Sequence, residues 1–293
     1  MAMRKTLPVV TFISLSCVSF AQNAPAPAAQ TPPNPAPKAS WSSGSSYTLS
    51  GVPVSGAGMR RNAAPNTKDL PYDAHDLSGV WWVFGSKAGF TLSNPAPSMT
   101  SWGQAKFDQA VPGLSGPKAR PMGNDPMMKC DPMGFPRILF YAAVPVENIQ
   151  IPGRFIQFFD WFHTWRTVWT DGRELPKDPD PRWLGYSVGK WDGNTFVIES
   201  TGFDERSWTD FFGHPHSESA HITERYRRVD HDTLELNLVL DDPKAYTKPW
   251  VSETKTYKLD ASTEIGEDFC VPSEEEAYRQ LMREPAATPP KAN

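Results

Sequence analysis

The chain has 293 residues, and its 29 Lys and Arg nearly offset its 33 Asp and Glu, leaving a net charge of −4. With acids and bases interspersed, it offers no basic stripe for a nucleic acid or an anionic membrane surface. No apolar stretch reaches the roughly 20 residues of a membrane-spanning helix, which argues against an integral membrane protein.

Arg4 and Lys5 precede an apolar run over 7–20, and Ser19-Phe20-Ala21 presents small residues at both positions a signal peptidase reads. Residues 1–21 are therefore expected to be a cleavable secretory signal, implying a periplasmic or secreted protein. Cys17 lacks the large aliphatic residue three positions upstream that lipidation requires. Losing Arg4 and Lys5 takes the net charge from −4 to −6. Residues 22–69 are rich in Ala, Pro, Ser and Gly, with too few large apolar groups to offset the entropy of ordering, and are expected to form a disordered linker. The tail 284–293 reads the same way, leaving one domain over 70–283 with no internal repeat.

Within that domain Asp76, Ser78 and Gly79 introduce an aromatic, β-branched run at 80–84, the first strand. A loop-rich region follows to about 144. In it Ser101 and Gln104 have capping-box spacing for one short helix. Pro112, Pro117, Pro121, Pro126, Pro132 and Pro136 make the rest a wrap over one face or mouth. Strands are expected at 148–151, 154–160, 164–170, 186–191, 195–200, 221–229, 233–240 and 250–259, with tight turns at Asp171-Gly172 and Asp192-Gly193. Leu234, Leu236, Leu238 and Leu240 alternate with Thr233, Glu235, Asn237 and Val239, as a half-buried antiparallel strand requires. About nine such strands leave exposed edges unless they curl and close, so the fold class is mainly β: an antiparallel meander curled into a barrel or a strongly bent sheet, with the Pro-rich wrap and two short helices. Ser273 before Glu274, Glu275 and Glu276 caps a second short helix running to about Met282.

Two cysteines remain after export, Cys130 and Cys270, and in an oxidising compartment they are expected to pair. Closing a loop of about 140 residues stabilises by roughly 4 to 5 kcal/mol in the chain-entropy model. Two buried free thiols are the alternative.

Gly79-Val80-Trp81 resembles the opening of lipocalin-like (calycin) barrels, in which the tryptophan plugs the closed end of the cup. The stretch from Asp76 to Glu276 also resembles a widespread family of exported bacterial proteins that carries no assigned activity. The resemblance is carried by Cys130-Asp131-Pro132-Met133-Gly134-Phe135-Pro136-Arg137, Trp169-Thr170-Asp171-Gly172-Arg173, Gly213-His214-Pro215-His216-Ser217-Glu218 and Asp241-Asp242-Pro243, among other runs. It implies export and a single domain, and no mechanism.

Two places concentrate chemistry. His214, His216 and His221 fall within eight residues, with Glu218 between them. Their imidazoles could ligate zinc, iron or copper, with Glu218 as a fourth ligand or a base, or could work as metal-free acids and bases. The bland alternative is a loop shaped by Pro215. The second place is the 160–166 hairpin, where His163 backed by Asp160 reads as a tuned general base, and Arg166 and Trp165 as binding groups. There the competing reading is a histidine capping an aromatic core. Glu224 and Arg225 put charge on both faces of one strand, and a charge facing a barrel interior must be paired or bind something. No nucleophile elbow, phosphate loop, His-Glu-x-x-His or dinucleotide fingerprint is present.

Two functions from different classes are thus expected. One is a periplasmic enzyme doing acid/base or metal-assisted chemistry on a small organic molecule in the barrel, through His163, His214, His216 and Glu218, with Asp160, Trp165, Arg166 and Arg225 binding. The other is a lipocalin-like carrier or sensor of a hydrophobic or aromatic ligand.

Overall fold

The computed structural model describes residues 70–84, 90–113, 116–140 and 145–288. The expected signal 1–21, the linker 22–69 and residues 289–293 of the tail lie outside these. Among the described residues ten strands are formed: β1 (Gly79–Phe84), β2 (Val146–Ile151), β3 (Arg154–Phe159), β4 (Thr164–Trp169), β5 (Tyr186–Asp192), β6 (Thr195–Thr201), β7 (His221–Arg228), β8 (Thr233–Asp241), β9 (Trp250–Val251) and β10 (Lys255–Leu259).

Neighbouring strands pair in the order β10-β1-β2-β3-β4-β5-β6-β7-β8, and β10 pairs again with β8. The ring is therefore a closed nine-strand barrel without a free edge. β9 and β10 were expected as one strand. They separate because β8 opposes Leu236 to Lys255 but Val239 to Val251, three steps on β8 against four on its partner. This bulge bends the chain so that β10 can also reach β1.

Every pair is antiparallel except β4 with β5, where Val168 faces Ser187 and Trp169 faces Val188. Asp171-Gly172 therefore does not close a hairpin as expected. It opens the connection 170–185, long enough to carry the chain back for a parallel strand. Gly185 ends this return at φ +65°, packed so closely that a Cβ would lie 2.6 Å from the Thr201 carbonyl oxygen. Asp192-Gly193 does close a hairpin, Asp192 facing Thr195.

Alternation fills the interior. Leu234, Leu236, Leu238 and Leu240 on β8 face inward with Ile222 and Tyr226 on β7, Phe196 and Ile198 on β6, and Phe155 and Phe159 on β3. Of the aromatic residues around the β3–β4 turn, Phe155, Phe159 and Trp161 serve as core rather than as the lining of a ligand cup, whereas Trp165 lies exposed. At the end where β1 starts, Trp81 is fully buried, its indole N–H donates to the Leu77 carbonyl at 3.0 Å, and the Arg228 guanidinium lies 5.5 Å from its ring. The opposite end carries the long loops and the Pro-rich wrap. There Met127, Met133, Phe135, Ile138, Leu139 and Phe140 enter the core like a stopper, and Tyr257 donates to the Leu139 carbonyl at 3.0 Å.

In the wrap, α1 (Ser101–Gln109) is capped by Thr100, whose Oγ accepts from the Gly103 N–H at 3.1 Å. The cap is one residue earlier than the expected Ser101, and Gln104 bonds Asp108 instead. At the other terminus α2 (Pro272–Tyr278) begins on Pro272, whose preset φ makes it the first helical residue. Val271 then stands at the cap position, and Ser273 is already inside the helix. Helical structure continues through a π turn to Ala287, past the expected domain edge at Arg283. Cys130 and Cys270 form the expected pair, with Cα atoms 5.4 Å apart.

Candidate functional site

The loop-bearing end collects the histidines singled out above, but gives each a different partner. His214 Nδ1 lies 2.6 Å from the Asp210 carboxylate, which is fully buried and also accepts the backbone N–H groups of Phe212 and His214. That bond makes Nδ1 the donor and leaves Nε2 with the lone pair in the neutral ring. Phe107 stacks on the imidazole at 4.6 Å, and the Trp250 ring meets it edge-on at 5.0 Å.

His216 is buried. Its Nε2 lies 2.8 Å from Ser207 Oγ and its Nδ1 3.4 Å from the Ser217 carbonyl oxygen. Burial pushes its pKa down, against the weaker opposing pull of that carbonyl and of nearby carboxylates, so the ring is held neutral. His221 faces outward, with Nε2 3.0 Å from Glu199 Oε2, and Glu218 is exposed.

The expected metal set His214, His216 and His221 is therefore not assembled. Among the described residues no three His, Cys, Asp or Glu side chains converge as metal ligands. The physical reason is that His214 and His216 lie in the irregular 202–220 loop, whose turns send one ring to a buried carboxylate and the other to a buried serine, while His221 starts β7 on the outer wall.

Arg166 is also corrected. Expected to bind a ligand oxygen, it points into the barrel and binds the carboxylate of Glu224, with Nη1 to Oε1 at 2.8 Å and Nη2 to Oε2 at 2.6 Å. Its Nε donates to Gln157 Oε1 at 2.8 Å, and Gln157 donates on to Asn148 at 3.0 Å. Tyr226 donates to Glu224 at 3.1 Å, and the Phe135 ring covers the guanidinium at 4.1 Å. The inward charge on β7 is paired within the chain. Arg225 lies exposed on the outer wall, 3.8 Å from Asp192, and Trp165 stands 62% exposed. Neither points into the barrel with Arg166.

The β3–β4 turn has a different character. After Asp160, both Phe162 (φ 55°) and His163 (φ 50°) adopt left-handed backbone conformations. For side chains other than glycine these cost about 1 to 3 kcal/mol each, and they cluster at functional sites. The 260–271 segment, arriving from β10, crosses this turn. Its Gly266 N–H donates to Asp160 Oδ1, and the Phe269 ring stacks on His163 at 4.2 Å.

Burial pushes the Asp160 carboxyl above the ordinary range, although the Gly266 N–H and His163 pull it down. Asp268 is pushed up by burial and then by Asp160, with His163 again opposing. Among the described residues Asp268 makes no hydrogen bond or ion pair, and His163 Nδ1 is buried without a hydrogen-bond partner. Behind the turn, Phe159 and Trp161 help line a pocket with Pro145, Val146, Leu139 and Tyr257, its volume of about 10 Å³ matching a single water.

The sequence reading found Asp160 and His163 but missed Asp268, Gly266, Phe269 and Asp210. The only signal for the first three was nearness to Cys270, whose partner lies on the wrap. Asp210 is four residues before His214, a spacing that pairs side chains on a helix but carries no such meaning in a loop. Comparison of the chain with models of protein families, with curated proteins and with solved structures finds no match.

Proposed function

We propose that the chain is an exported enzyme performing acid/base chemistry on a small organic molecule at the loop-bearing rim of the barrel, with Asp160, His163 and Asp268 as the reacting groups. The observation that carries this reading is the pair of carboxyls with raised proton affinity beside a histidine on a strained turn. A carboxyl that holds its proton above the ordinary range is a general acid, and an imidazole on the same turn is a matching base. The reaction class is proton transfer in hydrolysis, elimination or isomerisation. Side chains fill the barrel, which supports a substrate at the rim rather than in the lumen. That packing also weighs against the carrier reading.

Export rests on the signal-like residues 1–21 and agrees with the paired cysteines. The resemblance to exported bacterial proteins supports the compartment and not the chemistry. Metal assistance forms no part of the proposal, because the candidate ligands do not converge. The test is a panel of small esters, lactones and enolisable carbonyl compounds assayed with the protein and with His163→Gln and Asp160→Asn. Either variant should lose about 10²- to 10⁴-fold of any turnover found. Turnover that survives His163→Gln would overturn the reading. A second reading, favoured by the Asp210–His214 pair, makes His214 the base, and in that case His214→Gln abolishes the turnover instead.

A further inference from the structure

The rim site is built from two pieces of unequal stability. The turn belongs to the barrel, whereas Asp268, Phe269 and the Gly266 N–H come from residues 260–271, none of which enters the hydrophobic core. At its start this strap is tied by the Asp260 N–H to the Val80 carbonyl at 2.9 Å. Further along, its hydrogen bonds are mostly internal, such as Ser262 and Thr263 to Asp260 and Phe269 to Glu267. Phe269 is 58% exposed even while stacked on His163.

The far end is held by the disulfide. On the other side of that bond Cys130 ends the 126–129 turn, which is anchored by Met127 in the core and by Asp125, itself buried in an ion pair with Arg137. A firm anchor thus holds a loosely packed strap through one covalent link. Both cysteines are partly exposed, so a reductant can reach them.

We propose that the Cys130–Cys270 disulfide is a redox latch on the rim site: oxidised, it holds residues 260–270 across the β3–β4 turn, and reduced, it releases them while the barrel stays closed. The reductant is an external dithiol. Its thiolate attacks one sulfur and its second thiol resolves the mixed disulfide. Two electrons and two protons pass to Cys130 and Cys270, which become thiols, and the dithiol becomes a disulfide. The catalytic consequence rests on the acid/base reading above; the release of the strap does not.

Hydrogen exchange and NMR of the full chain distinguish these. The oxidised protein, the same protein in excess dithiothreitol, and the Cys130→Ser/Cys270→Ser variant are compared. The Gly266 amide should exchange at least about tenfold faster in the reduced protein and the variant. The His163 ring resonances should lose the shift imposed by Phe269, and amides of β6, β7 and β8 should keep their protection. Two results would overturn the latch. In one, Gly266 stays protected and His163 is unmoved, meaning that α2, packed against the 126–129 turn, holds the strap alone. In the other, the barrel amides lose protection together with the strap. Because no readout needs a substrate, a failure of the acid/base reading would show separately, as turnover indifferent to His163→Gln.

Discussion

Replacing Arg166 tests how the barrel interior is held. Arg166 is 4% exposed and Glu224 is fully buried, and the guanidinium supplies two bonds to that carboxylate and others to Gln157. Arg166→Met keeps much of the aliphatic volume but leaves Glu224 with the Tyr226 hydroxyl as its remaining side-chain donor, and strands Gln157 Oε1. Removing one partner of a buried pair costs about 3 to 5 kcal/mol, mostly because the other charge is left uncompensated. For a domain of this size that lowers Tm by roughly 6 to 20 °C. Equilibrium unfolding in urea, followed by tryptophan fluorescence, measures the loss. The double variant Arg166→Met/Glu224→Leu should cost clearly less than the sum of the singles, since an apolar pair needs no compensation. A loss below about 1 kcal/mol for Arg166→Met, the scale of an exposed ion pair, would refute the reasoning and return Arg166 to a ligand-binding role.

Three further outcomes are expected. Burial raises the Asp268 carboxyl above its ordinary value of 3.8, so its ionisation costs stability as pH rises through the folded-state pKa and costs nothing below the unfolded one. Asp268→Asn should therefore be the more stable protein at pH 7, with the gain vanishing below about pH 4, and pH-dependent thermal melts showing the reverse order would contradict it. Gly103→Ala places a Cβ 2.2 Å from the Ala245 carbonyl oxygen, backbone that cannot swing aside, so α1 must shift. Chemical denaturation should register about 1 to 3 kcal/mol, and a neutral effect would mean that the helix docks differently. Trp165→Ser should change stability by no more than about 0.5 kcal/mol, as for other exposed positions. A larger loss in the same assay would show that the indole is packed.

What could be read from the chain beforehand divides along a physical line. Strand positions and the inward face of β8 follow from a two-residue period that each strand carries in itself, and closure follows from the cost of leaving edges bare. The parallel β4–β5 pair was not legible, because Asp171-Gly172 is as suitable for opening a long return as for closing a hairpin, and the length of the return decides. The same division runs through the site. Asp160 and His163 stand three residues apart and could be seen together. What gives them their character is Asp268 and Phe269, more than a hundred residues later, delivered by a strap whose path depends on a disulfide to the wrap. Arg166 shows the converse: expected as a binding group for a ligand, it holds the carboxylate of Glu224 of the same chain. A residue type announces which partner it can hold. Whether that partner is a ligand or another part of the fold is settled by contacts that no local pattern contains, so the rim cluster, whose Asp268 makes no hydrogen bond or ion pair among the described residues, is the better place to look for chemistry than the paired Arg166 and Glu224 inside the barrel.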